Sequence, residues 1–120
     1  MTWLRAVPSN DIYTTSITRA EAFLGLKQLP DGRRKDDLMR ATESSFEVLL
    51  KDRILPFDNA AAIYYPEIVL LRHAVGHPIQ TADAVIAAIA IAHGFAVATR
   101  NVRDFADTDA AVVNPFEDEP

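Results

Sequence analysis

Three acidic side chains are the residues of this sequence best placed to do chemistry. Glu21 follows residues 11–18, a β-branched stretch; Asp104 follows residues 95–99, an apolar one; and Asp83 opens an apolar helical pattern. Short β-branched or apolar runs predict strands, and helical spacing predicts helices. We therefore expect each carboxylate to lie where a strand ends and a helix begins. In open α/β sheets, that edge is where ligands bind.

Carboxylates gathered without histidine or cysteine suit hard cations such as Mg²⁺ or Mn²⁺. Such an ion can activate water and neutralise charge on a phosphodiester, which is hydrolytic chemistry. We expect Glu21, Asp83 and Asp104 to converge on one cleft and to bind the ion there. Each of them alone is also explained by its helix, because an acidic residue in the first turn interacts favourably with the helix dipole and the unpaired N–H groups. The residues leave both explanations open.

Four polar residues surround the last of these carboxylates in the chain: Thr99, Arg100, Asn101 and Arg103. Thr99 and Asn101 could hydrogen-bond a phosphate or the water of a bound ion, although both types are also common at strand ends and turns. Arg100 and Arg103 supply positive charge that could contact a phosphate. These four are therefore candidate supporting or phosphate-contacting residues, and contact with RNA follows only from the family resemblance described below.

The stretch 78–105 is the centre of this arrangement, because an apolar helix, a glycine and a short strand follow one another there. Thr81 is a good N-cap, which places Asp83 in the first helical turn. Gly94 suits the left-handed position that ends a helix. Residues 95–99, FAVAT, are almost entirely apolar, which predicts a buried strand.

Strands and helices alternate along the rest of the chain, which favours a parallel α/β sheet. Asp58 is predicted to cap a long helix that Pro66 kinks or divides. In the charged helix before it, six side chains are expected to face the core: Leu38, Met39, Thr42, Phe46, Leu49 and Leu50. The remaining predicted elements are strands at residues 11–18, 53–57 and 111–116 and helices at residues 19–29 and 33–52.

The composition is that of one globular domain of 120 residues, with 49% hydrophobic and 24% charged residues. The chain has no cysteine, which excludes disulfides and thiolate metal sites. No apolar stretch is long enough to cross a bilayer, and the start has no signal-peptide layout, so we expect a cytoplasmic protein without a membrane partner. The net charge of −5 confines contact with nucleic acid to a local cationic patch.

Five segments carry a family resemblance: DIYTTSITRAEAFLGL, RILPFD, TADAVIAAIAIAHG, AVATRNVRDF and VVNPF. In this order they resemble the PIN-domain ribonucleases of bacterial toxin–antitoxin pairs, in the VapC/FitB-like branch. The resemblance runs from about Trp3 to Phe116. It implies a three-layer α/β fold with a short parallel sheet covered by helices.

The resemblance also implies a function. Glu21, Asp83 and Asp104 match acidic residues that hold Mg²⁺ or Mn²⁺ in this family, where the ion activates a water that cuts RNA. Thr99 and Asn101 match polar neighbours of the last carboxylate. A metal-dependent endoribonuclease toxin is implied, with RNA as substrate, an antitoxin protein as partner, and a homodimer as the usual assembly.

One departure from the family pattern concerns the N-terminus. The family begins with an apolar strand that ends in its first aspartate, and Met1 falls after both, so we expect an N-terminally truncated domain. Asp11 lies at the wrong end of the next strand to replace that aspartate. RNA cleavage is then expected to be slow or absent, and the alternative function is an inactive remnant that only binds an antitoxin or RNA. We also expect the strands at residues 11–18 and 95–99 to pair with each other and close the gap.

A receiver-like signalling domain is a third interpretation, because Asp58 follows a predicted strand and Thr99 ends another. Such domains need a lysine late in the chain to contact the phosphoryl group. No lysine follows Lys51, which excludes this interpretation.

Overall fold

The computed structural model describes residues 12–99 and 101–113. These residues belong to two compact units, an N-terminal unit whose described part is 12–56 and a C-terminal unit whose described part is 57–113. Arg100 and the end of the predicted strand at residues 111–116 lie outside the described residues. That the whole chain forms one domain stays a prediction.

The N-terminal unit combines helices with one pair of short parallel strands. Thr14 lies opposite Ile54 and Thr15 opposite Leu55 in this pair, and Arg53 Nε donates a hydrogen bond of 3.0 Å to the carbonyl of Ile12. Its elements in chain order are β1 (Thr14–Thr15), α1 (Ser16–Lys27), α2 (Arg33–Ser44), a π-helical segment (Ser45–Leu49) and β2 (Ile54–Leu55).

The first predicted strand, residues 11–18, is longer than the observed one, and the helix after it starts earlier. Thr15 has extended backbone and caps α1, because its hydroxyl accepts a hydrogen bond of 3.0 Å from the amide of Thr18. A threonine cap of this kind satisfies an amide that has no partner within the helix. Glu21 consequently lies beyond the first turn of α1, so its predicted first-turn position is wrong.

The core predicted for the second helix is only partly correct. Phe46 is buried, and its ring centroid lies 5.9 Å from that of Phe23, with the Arg19 guanidinium over both rings. Leu49, however, is 61% exposed and Leu38 is 37% exposed. The helical spacing identified Phe46 correctly, but no residue of α2 itself is buried.

The described part of the C-terminal unit contains three α-helices, a 3-10 helix and a second pair of parallel strands, in which Val97 lies opposite Val112. Asp58 caps the first helix as predicted, with its carboxylate accepting a hydrogen bond of 3.0 Å from the amide of Ala61. Pro66 divides the predicted long helix, also as expected, and lies in the first turn of the second piece. The elements are α3 (Asn59–Ala62), α4 (Tyr65–Ala74), α5 (Thr81–His93), β3 (Val97–Ala98), a 3-10 helix (Val102–Phe105) and β4 (Val112–Val113).

Helix α5 is the centre of the C-terminal unit. It contacts α3, α4, β3 and the 3-10 helix. Small side chains make such close packing possible, since five of its residues are buried and four of these are alanines: Ala84, Ala87, Ala88, Ile89 and Ala90. Ile68 of α4 is also fully buried.

The C-terminal end of α5 was predicted correctly and its N-cap was not. Gly94 has φ 70°, the left-handed conformation expected after the last turn, and the amide of Phe95 donates to the carbonyl of Ala90 at 2.9 Å. The predicted N-cap Thr81 is wrong. Gln80 is the N-cap, with extended backbone and no side-chain capping bond, and Thr81 is the first helical residue.

The described strands form two separate two-stranded parallel sheets, β1–β2 and β3–β4. Each described strand pairs with one from its own unit. A pairing between residues 11–18 and residues 95–99 would join the two units and stays a prediction. The α/β class with short parallel strands is confirmed. None of the helices in the described ranges has the length and apolar character needed to cross a membrane.

Candidate functional site

Asp83 lies in the first turn of α5, as predicted. The turn forms because Gln80 is extended and its carbonyl accepts a hydrogen bond of 3.0 Å from the amide of Ala84. A negative charge at this position interacts favourably with the helix dipole. The residue is half-buried, and Ala84 directly after it is fully buried, so the backbone that carries the carboxylate is anchored in the core.

Asp104 lies on the 3-10 helix, which contacts α5. Its own amide donates to the carbonyl of Asn101 at 3.0 Å, and the amide of Asn101 donates to Thr99 Oγ1 at 3.0 Å. Thr99 and Asn101 therefore shape the turn that presents Asp104. Asp104 is exposed, whereas the next residue, Phe105, is 5% exposed and holds the short helix against the core.

Arg72 of α4 connects this turn to the rest of the C-terminal unit. Its side chain is buried, with only 7% of the residue exposed. Nη1 donates to the carbonyls of Asp104 at 2.7 Å and Ala106 at 3.2 Å, and Nε donates to the carbonyl of His77 at 2.6 Å. Three backbone carbonyls thus surround one guanidinium. In the described ranges Arg72 forms no ion pair.

A surface cleft of about 610 Å³ lies beside Asp104. The turn after α4 forms one wall with His77, and Arg103, Asp104 and Asp107 form the other, while the buried Arg72 also lines it. Both signs of charge therefore meet in the cleft. Asp83 does not line this cleft, although the helix that carries it contacts the 3-10 helix.

The three predicted acidic residues are divided between the two units. Glu21 belongs to the N-terminal unit, is exposed, and makes no ion pair with another described residue. Asp83 and Asp104 belong to the C-terminal unit, on elements in contact. Convergence of all three on one cleft stays a prediction.

The donors fit a hard divalent cation in kind, since they are carboxylate oxygens without sulfur. Asp83 and Asp104 lie on a helix and a 3-10 helix that pack together, which is compatible with two ligands of one ion. In the described part of either unit, however, no three acidic or histidine side chains are grouped closely enough to hold a metal ion. Mg²⁺ or Mn²⁺ binding therefore belongs to the proposals below.

Two residues with a role in this arrangement were not identified from the sequence. Thr108 is 1% exposed and donates to the carbonyl of Phe105 at 2.6 Å, and Arg72 holds the neighbouring carbonyls. Arg72 had a detectable signal, because it lies four residues after Ile68 and so on the same apolar face of α4. A charged residue in a buried row needs hydrogen-bond partners. Thr108 had no comparable signal.

Comparison with known proteins identifies relatives over almost the whole chain. The family model of the PIN domain matches residues 1–111. Toxin FitB of Neisseria gonorrhoeae is 40% identical over 116 residues, which cover 97% of this chain and 84% of that protein. The VapC ribonuclease Y4jK of Sinorhizobium fredii is 35% identical over 117 residues, covering 98% of this chain and 84% of that protein.

The fold is also similar to a solved structure. The structure of FitAB bound to an IR36 DNA fragment superimposes with a TM-score of 0.89 and 39% sequence identity. The match covers 98% of this chain and 82% of the other. The similarity therefore extends over the described parts of both units.

Proposed function

This chain belongs to the PIN-domain family, and from that premise we propose that it is a metal-dependent endoribonuclease that acts as the toxin of a toxin–antitoxin pair. Similarity to toxin FitB and to a VapC ribonuclease supports a nuclease role in general. The observation that carries the finer proposal is the placement of Asp104, exposed in a cleft beside Arg103, on an element that contacts the helix opened by Asp83.

In this proposal Glu21, Asp83 and Asp104 supply the carboxylates for Mg²⁺ or Mn²⁺. The ion, when bound, lowers the pKa of its water and neutralises charge on a phosphodiester. Helix α5 fixes the backbone of Asp83 through the buried alanines that follow it. The exposed guanidinium of Arg103 would contact a phosphate of the RNA, with Arg100 as a further candidate outside the described residues.

Thr99 and Asn101 have a supporting role. The hydroxyl of Thr99 accepts a hydrogen bond from the amide of Asn101, and the carbonyl of Asn101 accepts one from the amide of Asp104. This sequence of contacts fixes the direction in which the chain leaves β3. Loss of the Thr99 hydroxyl would loosen the turn without removing a proposed ligand.

The decisive experiment compares Asp104→Asn with Asp107→Asn. Both carboxylates line the same cleft and both are exposed, so the two substitutions remove the same charge from the same surface. Asp107 has φ 59°, a conformation that asparagine tolerates. Cleavage of a labelled single-stranded RNA, slow as it is expected to be, should depend on added Mn²⁺, stop with EDTA, and be lost in Asp104→Asn but kept in Asp107→Asn. Equal cleavage by both variants would contradict the assignment of Asp104.

The partner proposal is an antitoxin protein. We expect the product of the adjacent reading frame to co-purify with this chain and to suppress its RNA cleavage. Binding of that product by a chain that cleaves no RNA under any Mn²⁺ concentration would favour the non-catalytic alternative. Homodimer formation, which the family resemblance implies, and a cytoplasmic location, which the hydropathy pattern of the sequence suggests, both stay predictions.

A further inference from the structure

We propose that Arg72 is a positioning residue for Asp104, acting through the backbone and not through contact with substrate. This inference rests on the proposed function, because it assigns Arg72 a role in aiming a carboxylate that is itself a proposed metal ligand. The three proposed carboxylate ligands do not by themselves require an arginine at position 72. The inference comes from the hydrogen bonds of a buried side chain.

The 3-10 helix cannot set its own direction. It spans only Val102–Phe105, and it is closed by the amide of Asp104 bonding the carbonyl of Asn101 at 3.0 Å and the amide of Ala106 bonding the carbonyl of Arg103 at 3.3 Å. So short a helix depends on outside contacts for its orientation, since 3-10 geometry is poor and short. Among the described residues, such contacts come from the buried ring of Phe105, the hydroxyl of Thr108 and the guanidinium of Arg72.

The Arg72 bonds lie on both sides of that ring. Nη1 donates to the carbonyl of Asp104 at 2.7 Å and to that of Ala106 at 3.2 Å, the residues before and after Phe105. The carbonyl carbon of Asp104 is bonded to the same Cα that carries its carboxylate group. Fixing that carbonyl therefore fixes the direction in which the carboxylate leaves the backbone. Nε donates to the carbonyl of His77 at 2.6 Å, so the same guanidinium also holds a second residue that lines the cleft.

An arginine is suited to this position by its geometry. Its donors are fixed in one plane, so a single side chain can hold three carbonyls in a constant arrangement. Burial of the charge is costly unless hydrogen bonds compensate it, and within the described residues carbonyls alone do so. An apolar residue would fill the same volume without that cost. The buried charge of Arg72 is explained if its hydrogen bonds are needed to orient the 3-10 helix that carries Asp104.

The test measures Mn²⁺ affinity by calorimetry with MnCl₂ in the folded protein, well below its melting temperature. Arg72→Met keeps an unbranched apolar stem and removes all the hydrogen-bond donors of the side chain. We expect roughly tenfold weaker Mn²⁺ binding, the lower end of the effect seen when a group that orients a metal ligand is removed. In RNA cleavage, kcat should fall while KM stays within error. Arg72→Lys, which keeps one donor group, should recover part of the affinity.

The control is Arg40→Met. Arg40 is exposed, and among the described residues it forms an ion pair only with Asp37, three residues before it. The same substitution there should leave Mn²⁺ affinity unchanged. Thr108→Val is the second variant if Arg72→Met does not fold. It removes the hydroxyl that holds the carbonyl of Phe105 at 2.6 Å, and it should weaken Mn²⁺ binding in the same direction.

The outcomes separate this inference from the proposed function. A folded Arg72→Met that binds Mn²⁺ as tightly as the parent, while Asp104→Asn does not, overturns the positioning role alone. Thr108→Val with parental affinity overturns it when Arg72→Met is unfolded. A parent chain that binds no Mn²⁺, or an Asp104→Asn variant with parental affinity, overturns the proposed function and the inference with it.

Discussion

Replacement of Asp83 by asparagine separates the two roles that its position allows. Asparagine has nearly the same size, so the change removes a charge and little else. Asp83 lies in the first turn of α5, where a negative charge stabilises the helix by about 0.3–1 kcal/mol. Without metal, we therefore expect Asp83→Asn to lower the free energy of unfolding by at least that amount, because the dipole is not the only interaction of this residue. This loss is expected whether or not the residue binds an ion.

Added Mn²⁺ distinguishes the roles. At free Mn²⁺ about a hundred times its Kd, binding adds about 2.7 kcal/mol to the stability of the parent. For 120 residues the unfolding entropy is about 0.25 kcal/mol/K, so the melting temperature should rise by about 11 °C. If Asp83→Asn weakens binding about tenfold, the added stability falls to about 1.4 kcal/mol and the rise to about 6 °C.

Thermal unfolding followed by circular dichroism, with and without MnCl₂, measures both quantities. Glu67→Gln is the matched control, because Glu67 is an exposed acidic residue in the first turn of α4 and is not a proposed ligand. It should lose the dipole interaction and keep the full rise with Mn²⁺. An equal Mn²⁺-induced rise in the parent and in Asp83→Asn would refute the assignment of Asp83 as a ligand.

Two further substitutions test the C-terminal unit itself. Ile89 is 1% exposed on α5, so Ile89→Ala should leave a cavity and lower the free energy of unfolding by about 2–5 kcal/mol. Urea denaturation measures this loss, and a value below about 1 kcal/mol would show that the site collapses or is poorly packed. Gly94 has φ 70°, so Gly94→Ala should cost about 1–2 kcal/mol in the same assay, and an unchanged midpoint would show that the left-handed turn is not kept in solution.

Features decided by near neighbours could be predicted from the sequence. The carboxylate of Asp58 needs only the amide three residues later, Pro66 acts on its own backbone, and Gly94 permits a left-handed turn by itself. The first-turn position of Asp83 follows from the same local rules. These are the elements that the sequence-based interpretation described correctly.

Features decided by distant partners could not. The extent of β1 depends on its two-residue pairing with β2. The exposure of Leu49 depends on what packs against its helix, which helical spacing does not state. The role of Arg72 depends on carbonyls 32 and 34 residues away along the chain. Of the candidate site, the acidic residues and their polar neighbours Thr99 and Asn101 were identifiable, but the contacts of Arg72 and Thr108 were not.

The alanines of α5 make this helix tolerant of change in one direction only. Ala84, Ala87 and Ala88 are fully buried, and their side chains are already so short that shortening them can free almost no space. Enlargement, in contrast, must push a neighbouring helix away, at a cost of about 1–3 kcal/mol for each overpacked position. Because α5 also contacts the 3-10 helix that carries Asp104, the displacement would reach the proposed site. A single added methyl group in this helix would therefore yield a chain that still folds but has Asp83 and Asp104 displaced from each other.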